Sequence, residues 1–147
     1  MKSRIVSSLV VATCSLAWCI AAPASTGRTP GGVAYSIGGI GADEEMRMAA
    51  DSADHALSVR FAARGSGAYL PDVELRITDS RQQAVFSGRL DGPWLLIDLP
   101  AGRYELVGEY AGEVTRLEVA VPAHGHRSAV MYFVVEGASR PFRGDRP

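Results

Sequence analysis

Cysteine is nearly absent from this chain. Its 147 residues include two, Cys14 and Cys19, both close to the N-terminus, so a chain beginning after residue 24 has neither a disulfide nor a thiol nucleophile. A surplus of positive charge is also missing. Without Lys2 and Arg4, 13 basic side chains face 16 acidic ones, a net charge of −3. No polybasic patch remains, and this composition argues against nucleic acid as a partner. No serine stands in a Gly-x-Ser-x-Gly elbow, no phosphate-binding loop occurs and no segment repeats, so the familiar signatures of hydrolases and nucleotide enzymes are lacking. Histidine occurs three times, as His55, His124 and His126.

What is present begins with Met1-Lys2-Ser3-Arg4, an uncharged stretch from Ile5 to Ala22, and Ala22-Pro23-Ala24. A basic start, an apolar middle and small residues before a cut are the parts of a secretory signal peptide. Residues 1–24 are therefore expected to be a signal peptide cut between Ala24 and Ser25, which makes the protein periplasmic or secreted. The uncharged stretch approaches the roughly 20 residues that span a bilayer. Ser7, Ser8, Thr13 and Ser15 dilute it, so membrane contact is expected only through this segment if it stays uncut. Thr13 before Cys14 and Trp18 before Cys19 are not the small residue that a lipidated cysteine requires.

Residues 25–42 are rich in glycine, proline, serine and threonine and read as a flexible leader. A short helix is expected over residues 43–55, with Asp43 as cap, Glu44 and Glu45 in the first turn, and Met46, Ala49, Ala50, Ala53 and Leu57 at helical spacing. The apolar period then changes to two. Leu57, Val59 and Phe61 alternate with Ser58, Arg60 and Ala62. Val73, Leu75 and Ile77 alternate with Glu74, Arg76 and Thr78, and Leu117, Val119 and Val121 alternate with Arg116, Glu118 and Ala120. Each pattern marks a strand with one buried and one wet face. Shorter runs lie at Ala84–Ser87, Trp94–Leu99 and Arg103–Tyr110, while Ala129–Val135 is apolar on both faces, as in a covered central strand. Seven strands separated by Gly, Pro and Asp turns predict an all-β domain over residues 56–135, a single seven-stranded antiparallel Greek-key β-sandwich. In one of those turns, Pro100-Ala101-Gly102, proline cannot donate to a ladder and Gly102 is expected to take positive φ. Residues 136–147 are expected to form a disordered tail.

The stretch "DLPAGRYELVGEYAGEVTRLEVAV" resembles the closing strands of carboxypeptidase regulatory-like domains, members of the transthyretin-like, prealbumin-type sandwiches. "YLPDVELRITDSRQQAVFSGRLDGPWLLIDLPAG" fits the same pattern, and "GGIGADEEMRMAA" is similar to the leader of small exported bacterial proteins that carry this domain alone. The resemblance covers roughly residues 33–135. It implies a fold more than an activity, since such domains serve as appendages, spacers or binding modules.

Four places are candidates for function. His124 and His126, with His124-Gly125-His126 in a turn, could chelate copper or zinc, although a closed site needs three or four ligands; the bland reading, two solvated turn histidines, is favoured. Asp51 and His55 stand four apart on the expected helix and could pair. Trp94 and Leu96 alternate with Leu95 and Ile97, so they form an apolar binding surface if their face is wet, or a second core layer if the helix covers it, and helix cover is favoured. The 5-hydroxyisourate hydrolases share this type of sandwich. "AGRYELV" resembles one of their strands and Phe142–Asp145 loosely their C-terminus, but Arg60 stands where their first strand supplies histidine, and Asp145 replaces a terminal serine. Without that imidazole no general base is evident. Arg143-Gly144-Asp145 reads as chance.

The leading expectation is an exported, non-enzymatic sandwich protein with no cofactor that binds a protein or cell-envelope component. A transthyretin-like hydrolase and a weak metal-binding module through His124 and His126 are the alternatives.

Overall fold

The computed structural model of the chain describes residues 24–135. The cysteines, residues 1–23 of the expected signal peptide, the expected disordered tail and the Arg143–Asp145 triplet lie outside those residues. Among the described residues nine strands form two sheets, and one helix accompanies them. β1 (Ser25–Arg28) and β2 (Ala34–Gly38) precede α1 (Ala42–Asp51), which a 3₁₀ turn at Ser52–Asp54 prolongs. β3 (Leu57–Ala63), β4 (Val73–Asp79), β5 (Ala84–Leu90), β6 (Trp94–Ile97), β7 (Gly102–Tyr110), β8 (Glu113–Val121) and β9 (Arg127–Phe133) follow. The five-stranded sheet has the order β1-β2-β6-β3-β9 and the four-stranded sheet the order β5-β4-β7-β8.

The alternation read from sequence sets which side chains meet between the sheets. Val59, Phe61, Leu95, Ile97, Met131 and Phe133 from one sheet and Val73, Leu75, Ile77, Leu106 and Val119 from the other lie in one buried cluster. Successive side chains of a strand point to opposite faces, so Glu74, Arg76, Glu109 and Arg116 are left exposed on the far side of the four-stranded sheet.

Three expectations are corrected. Residues 56–135 hold the expected seven strands, β3 to β9; β1 and β2 raise the total among the described residues to nine, and the pairing is not wholly antiparallel, because β3 and β9 run parallel from Leu57↔Arg127 to Ala63↔Phe133. The segment read as a flexible leader contains β1 and β2. These strands carry few large apolar residues, but β2 zips onto β6 from Tyr35↔Ile97 to Gly38↔Trp94 and places Ile37 in the core; ladder bonds to a neighbour supply what their composition lacks. β9 is an edge strand rather than a covered centre. Its outward Tyr132 is 47% exposed, and Val130 on the same face is half-buried.

The helix is corrected as well. Its N-cap is Gly41, and no side chain caps it. Asp43 sits in the first turn, while the Glu44 carboxylate accepts the Ile40 N–H at 2.8 Å. The expected stripe is turned: Met48 and Glu44 are buried, whereas Met46, Ala49 and Ala50 are exposed and Leu57 already belongs to β3. Among the described residues no helix is long and apolar enough to cross a membrane.

Candidate functional site

One corner gathers polar groups that are far apart in sequence. His55 follows the 3₁₀ turn, Asp98 follows β6, Ser58 is the second residue of β3 and His126 immediately precedes β9. His126 Nδ1 donates to the His55 carbonyl at 2.8 Å. That bond fixes the tautomer of a neutral ring, so its Nε2 is the acceptor for the Ser58 hydroxyl at 3.1 Å. The Asp98 carboxylate receives His55 Nδ1 at 3.0 Å and the Ala56 N–H at 3.3 Å. The partner of His55 is thus Asp98, not Asp51. Three separate connections are tied together here: the end of the helix, the β6–β7 loop and the β8–β9 turn.

This geometry limits the chemistry. A serine hydroxyl directed at an imidazole whose other nitrogen is oriented by an acceptor has the polarity of a nucleophile and its base. Ser58, however, is 3% exposed, and its backbone is paired with Leu96 on one side and Ser128 on the other. Burial and pairing on both sides hold Ser58 as part of the sheet. For metal binding, both ring nitrogens of His126 are occupied, and His124 is exposed in the turn. Among the described residues no group of three or more His, Cys, Asp or Glu side chains could hold an ion. His124 and His126 share the turn, with His126 engaged at both nitrogens and His124 exposed.

Trp94 and Leu96 are placed by β6 on the outer face of the five-stranded sheet, under α1. Trp94 is 5% exposed and Leu96 1%, in one cluster with Met48. They are a second core layer, so the open binding surface considered for them is absent. The Trp94 ring meets Tyr69 edge-on at 6.5 Å and carries the Arg60 guanidinium over its face at 5.1 Å. Arg60, at the position where the hydrolases supply histidine, is thereby engaged as a cation over an aromatic face. Ala24 also packs partly buried against this cluster, while Ser25 opens edge strand β1.

The Pro100-Ala101-Gly102 turn is closed by the next aromatic residue. The Tyr104 hydroxyl donates to the Pro100 carbonyl at 2.7 Å, a bond that returns a buried phenol to the backbone just upstream. Burial, and secondarily the negative charge of Asp79, raise the Tyr104 pKa above the ordinary 10.0. Gly102 is not among the residues with positive φ. It is simply the first residue of β7. Beside this turn lies an open groove of about 440 Å³, lined by Asp79, Arg103, Tyr104, Glu105, Glu118 and Arg127 among others.

The outer face of the four-stranded sheet is organised in rows by its register. Arg89, Glu74, Glu109 and Val114 form one row across the strands, and Ser87, Arg76, Val107 and Arg116 the next. Thr78, Glu105 and Glu118 continue it. Arg116 pairs with Glu105 at 3.3 Å. Among the described residues no element packs over these rows, in contrast to the helix-covered face of the other sheet. Sequence alternation showed that these residues were wet but not that they were the uncovered face. Ser58 and Asp98 carried no signal at all, since their partners are 68 and 43 positions away.

No family model matches the chain. No curated protein matches it either. Among solved structures it is similar to one titled "Crystal Structure of S.CueP", with a TM-score of 0.40 and 11% identity over 52% of this chain. The chain spans 61% of that protein's chain. It is a β-rich two-sheet domain with distant structural similarity to that protein.

Proposed function

We propose that this is an exported, non-enzymatic protein that binds a protein or cell-envelope component through the outer face of its four-stranded sheet. The reading rests on one observation, the asymmetry of the two outer faces. α1 seals Trp94 and Leu96 on one sheet, while the other presents Arg89, Glu74, Arg76, Val107, Glu109 and Arg116 in alternating rows. Interspersed charges of both signs around a small apolar centre suit a complementary polypeptide better than a small molecule, because charge complementarity sets register and partner choice. Export is supported by the signal-like residues 1–24. A place among carboxypeptidase regulatory-like domains belongs to the same proposal. The two-sheet fold and the Leu99-Pro100-Ala101-Gly102 turn closed by Tyr104 support it. The hydrolase alternative is disfavoured by Arg60, which stands where those enzymes supply a histidine and is held over the Trp94 ring.

The test is a photoreactive side chain at position 107, in the centre of the face, compared with one at exposed Ala49 on α1. Irradiation of cells producing the protein should give a discrete adduct from position 107 only, and Arg76→Glu with Arg116→Glu should remove it. No adduct at 107, or equal adducts at both positions, would end this reading.

A further inference from the structure

The outer face of the four-stranded sheet holds a buried polar group that the fold leaves without a partner. Thr78 points outward from β4, because Ile77 before it lies in the core and successive side chains of a strand alternate. It is 7% exposed, and its hydroxyl makes no hydrogen bond among the described residues. A hydroxyl in that condition carries a desolvation penalty that a ligand can offset. Thr78 lines a groove of about 270 Å³ with Arg76, Gln82, Glu105, Val107 and Arg116. The edge strand β5 is irregular at the same level, where its register with β4 shifts between Ile77 and Thr78, a disruption that bends a strand and re-aims the side chains beside it.

The chemistry of the lining selects the occupant. Arg116 donates through Nη1 to Glu105 at 3.3 Å, which leaves its other N–H groups available, and Arg76 forms no ion pair among the described residues. A hydroxyl, an amide and two guanidinium groups thus stand around the groove as donors, with one carboxylate that is already paired. A carboxylate is the matching acceptor, taking charge-assisted bonds from guanidinium and a further bond from the hydroxyl. The rows on either side have the opposite sign. Glu74 and Glu109 are paired in the row before Arg76, where Arg89 turns instead to Asp72 at 3.1 Å. Glu105 and Glu118 are paired in the row after. Glu74, Glu109 and Glu118 form no ion pair among the described residues. Along the strands the order is therefore acid, base, acid, in steps of two residues or about 6.7 Å. An extended polypeptide lying along the strands presents its side chains to the face at that same interval. We infer that the groove takes an Asp or Glu side chain of the partner, held by the Thr78 hydroxyl and the Arg76 and Arg116 guanidinium groups, from an extended segment with a basic residue two positions before the acid and another two positions after it. The inference rests on the proposed partner face and specifies its contact.

Blocked heptapeptides titrated into the isotopically labelled protein test this. Thr-Lys-Thr-Glu-Thr-Lys-Thr should shift the amide signals of Arg76, Thr78 and Arg116. The same peptide with Gln at its centre should bind about tenfold more weakly, as loss of a charged hydrogen-bond acceptor does. The inverted peptide, Thr-Glu-Thr-Lys-Thr-Glu-Thr, should leave those signals in place. Thr78→Val keeps the shape of the side chain and should weaken the acid-centred peptide without lowering the denaturation midpoint, because the hydroxyl it removes has no partner in the fold. A lowered midpoint would assign that hydroxyl to the fold and overturn the inference, as would equal binding of the three peptides or no binding by any. In cells, an adduct from position 107 that persists undiminished in Thr78→Val would overturn the carboxylate seat and leave the partner face standing, whereas absence of that adduct from the unaltered protein ends the partner face itself.

Discussion

Gly92 has no room for a side chain, because a Cβ there would overlap the Gly38 carbonyl and crowd its Cα. Backbone cannot step aside as a flexible side chain can, so Gly92→Ala is expected to destabilise the fold by about 1–3 kcal/mol, as forced overpacking does. Gly102, which looked like the critical glycine from its place in Pro100-Ala101-Gly102, has ordinary φ, and a Cβ there would only touch the Tyr104 ring at 3.6 Å. Gly102→Ala should change stability by no more than about 0.5 kcal/mol; urea denaturation of the two variants should rank them in this order, and the reverse order would restore the turn glycine to importance. The turn depends instead on Tyr104. Tyr104→Phe loses the bond to the Pro100 carbonyl and should cost about 1 kcal/mol at neutral pH. Its folded-state pKa is raised above 10.0, so the folded protein holds the phenolic proton more tightly than the unfolded chain does. That contribution is complete below pH 10.0 and is lost as pH rises from there through the folded value. The advantage of the parent protein over Tyr104→Phe should shrink above that pH, as measured by denaturation midpoints.

At the scale of elements, α1 is held by very few side chains. Met48 is 3% exposed and packs on Trp94 and Leu96, whereas Met46 is 64% exposed. Met48→Ala should therefore cost about 2–5 kcal/mol, as buried truncations do, and Met46→Ala no more than about 0.5 kcal/mol. Thermal unfolding of the pair distinguishes the observed face of the helix from the stripe that the sequence favoured. The sequence misled there because Met46, Ala49 and Ala50 satisfy helical spacing as well as Glu44 and Met48 do. Which of two overlapping stripes is buried depends on where Gly38, Gly39 and Gly41 aim the helix. β1 and β2 were illegible for a related reason. Ser25–Arg28 contains no large apolar residue, and its strand exists through the register with β2 from Ser25↔Ile37 to Arg28↔Ala34, a partner that local composition cannot reveal.

For the whole molecule, the polar corner ties three connections together. A metal ion would have to take His126 from both the His55 carbonyl and the Ser58 hydroxyl, leaving hydrogen-bonding groups without partners. Calorimetry of the protein with Zn(II) or Cu(II) should accordingly show weak binding, little changed by His124→Ala, while His126→Ala should lower stability by about 1–2 kcal/mol through the lost bonds. Tight binding abolished by His124→Ala would show that the turn rearranges into a ligand set. The sequence by itself determined the β character of the domain and which residues of β3, β4 and β8 face inward, because a period of two assigns faces without reference to any neighbour. It also placed Trp94 and Leu96 on the side opposite Leu95 and Ile97. Only the tertiary structure decided that this side is covered, that β3 and β9 run parallel and that Ser58, His126, His55 and Asp98 meet. Each of those outcomes depends on contacts between segments tens of residues apart, and a local pattern carries no information about which distant segment will arrive.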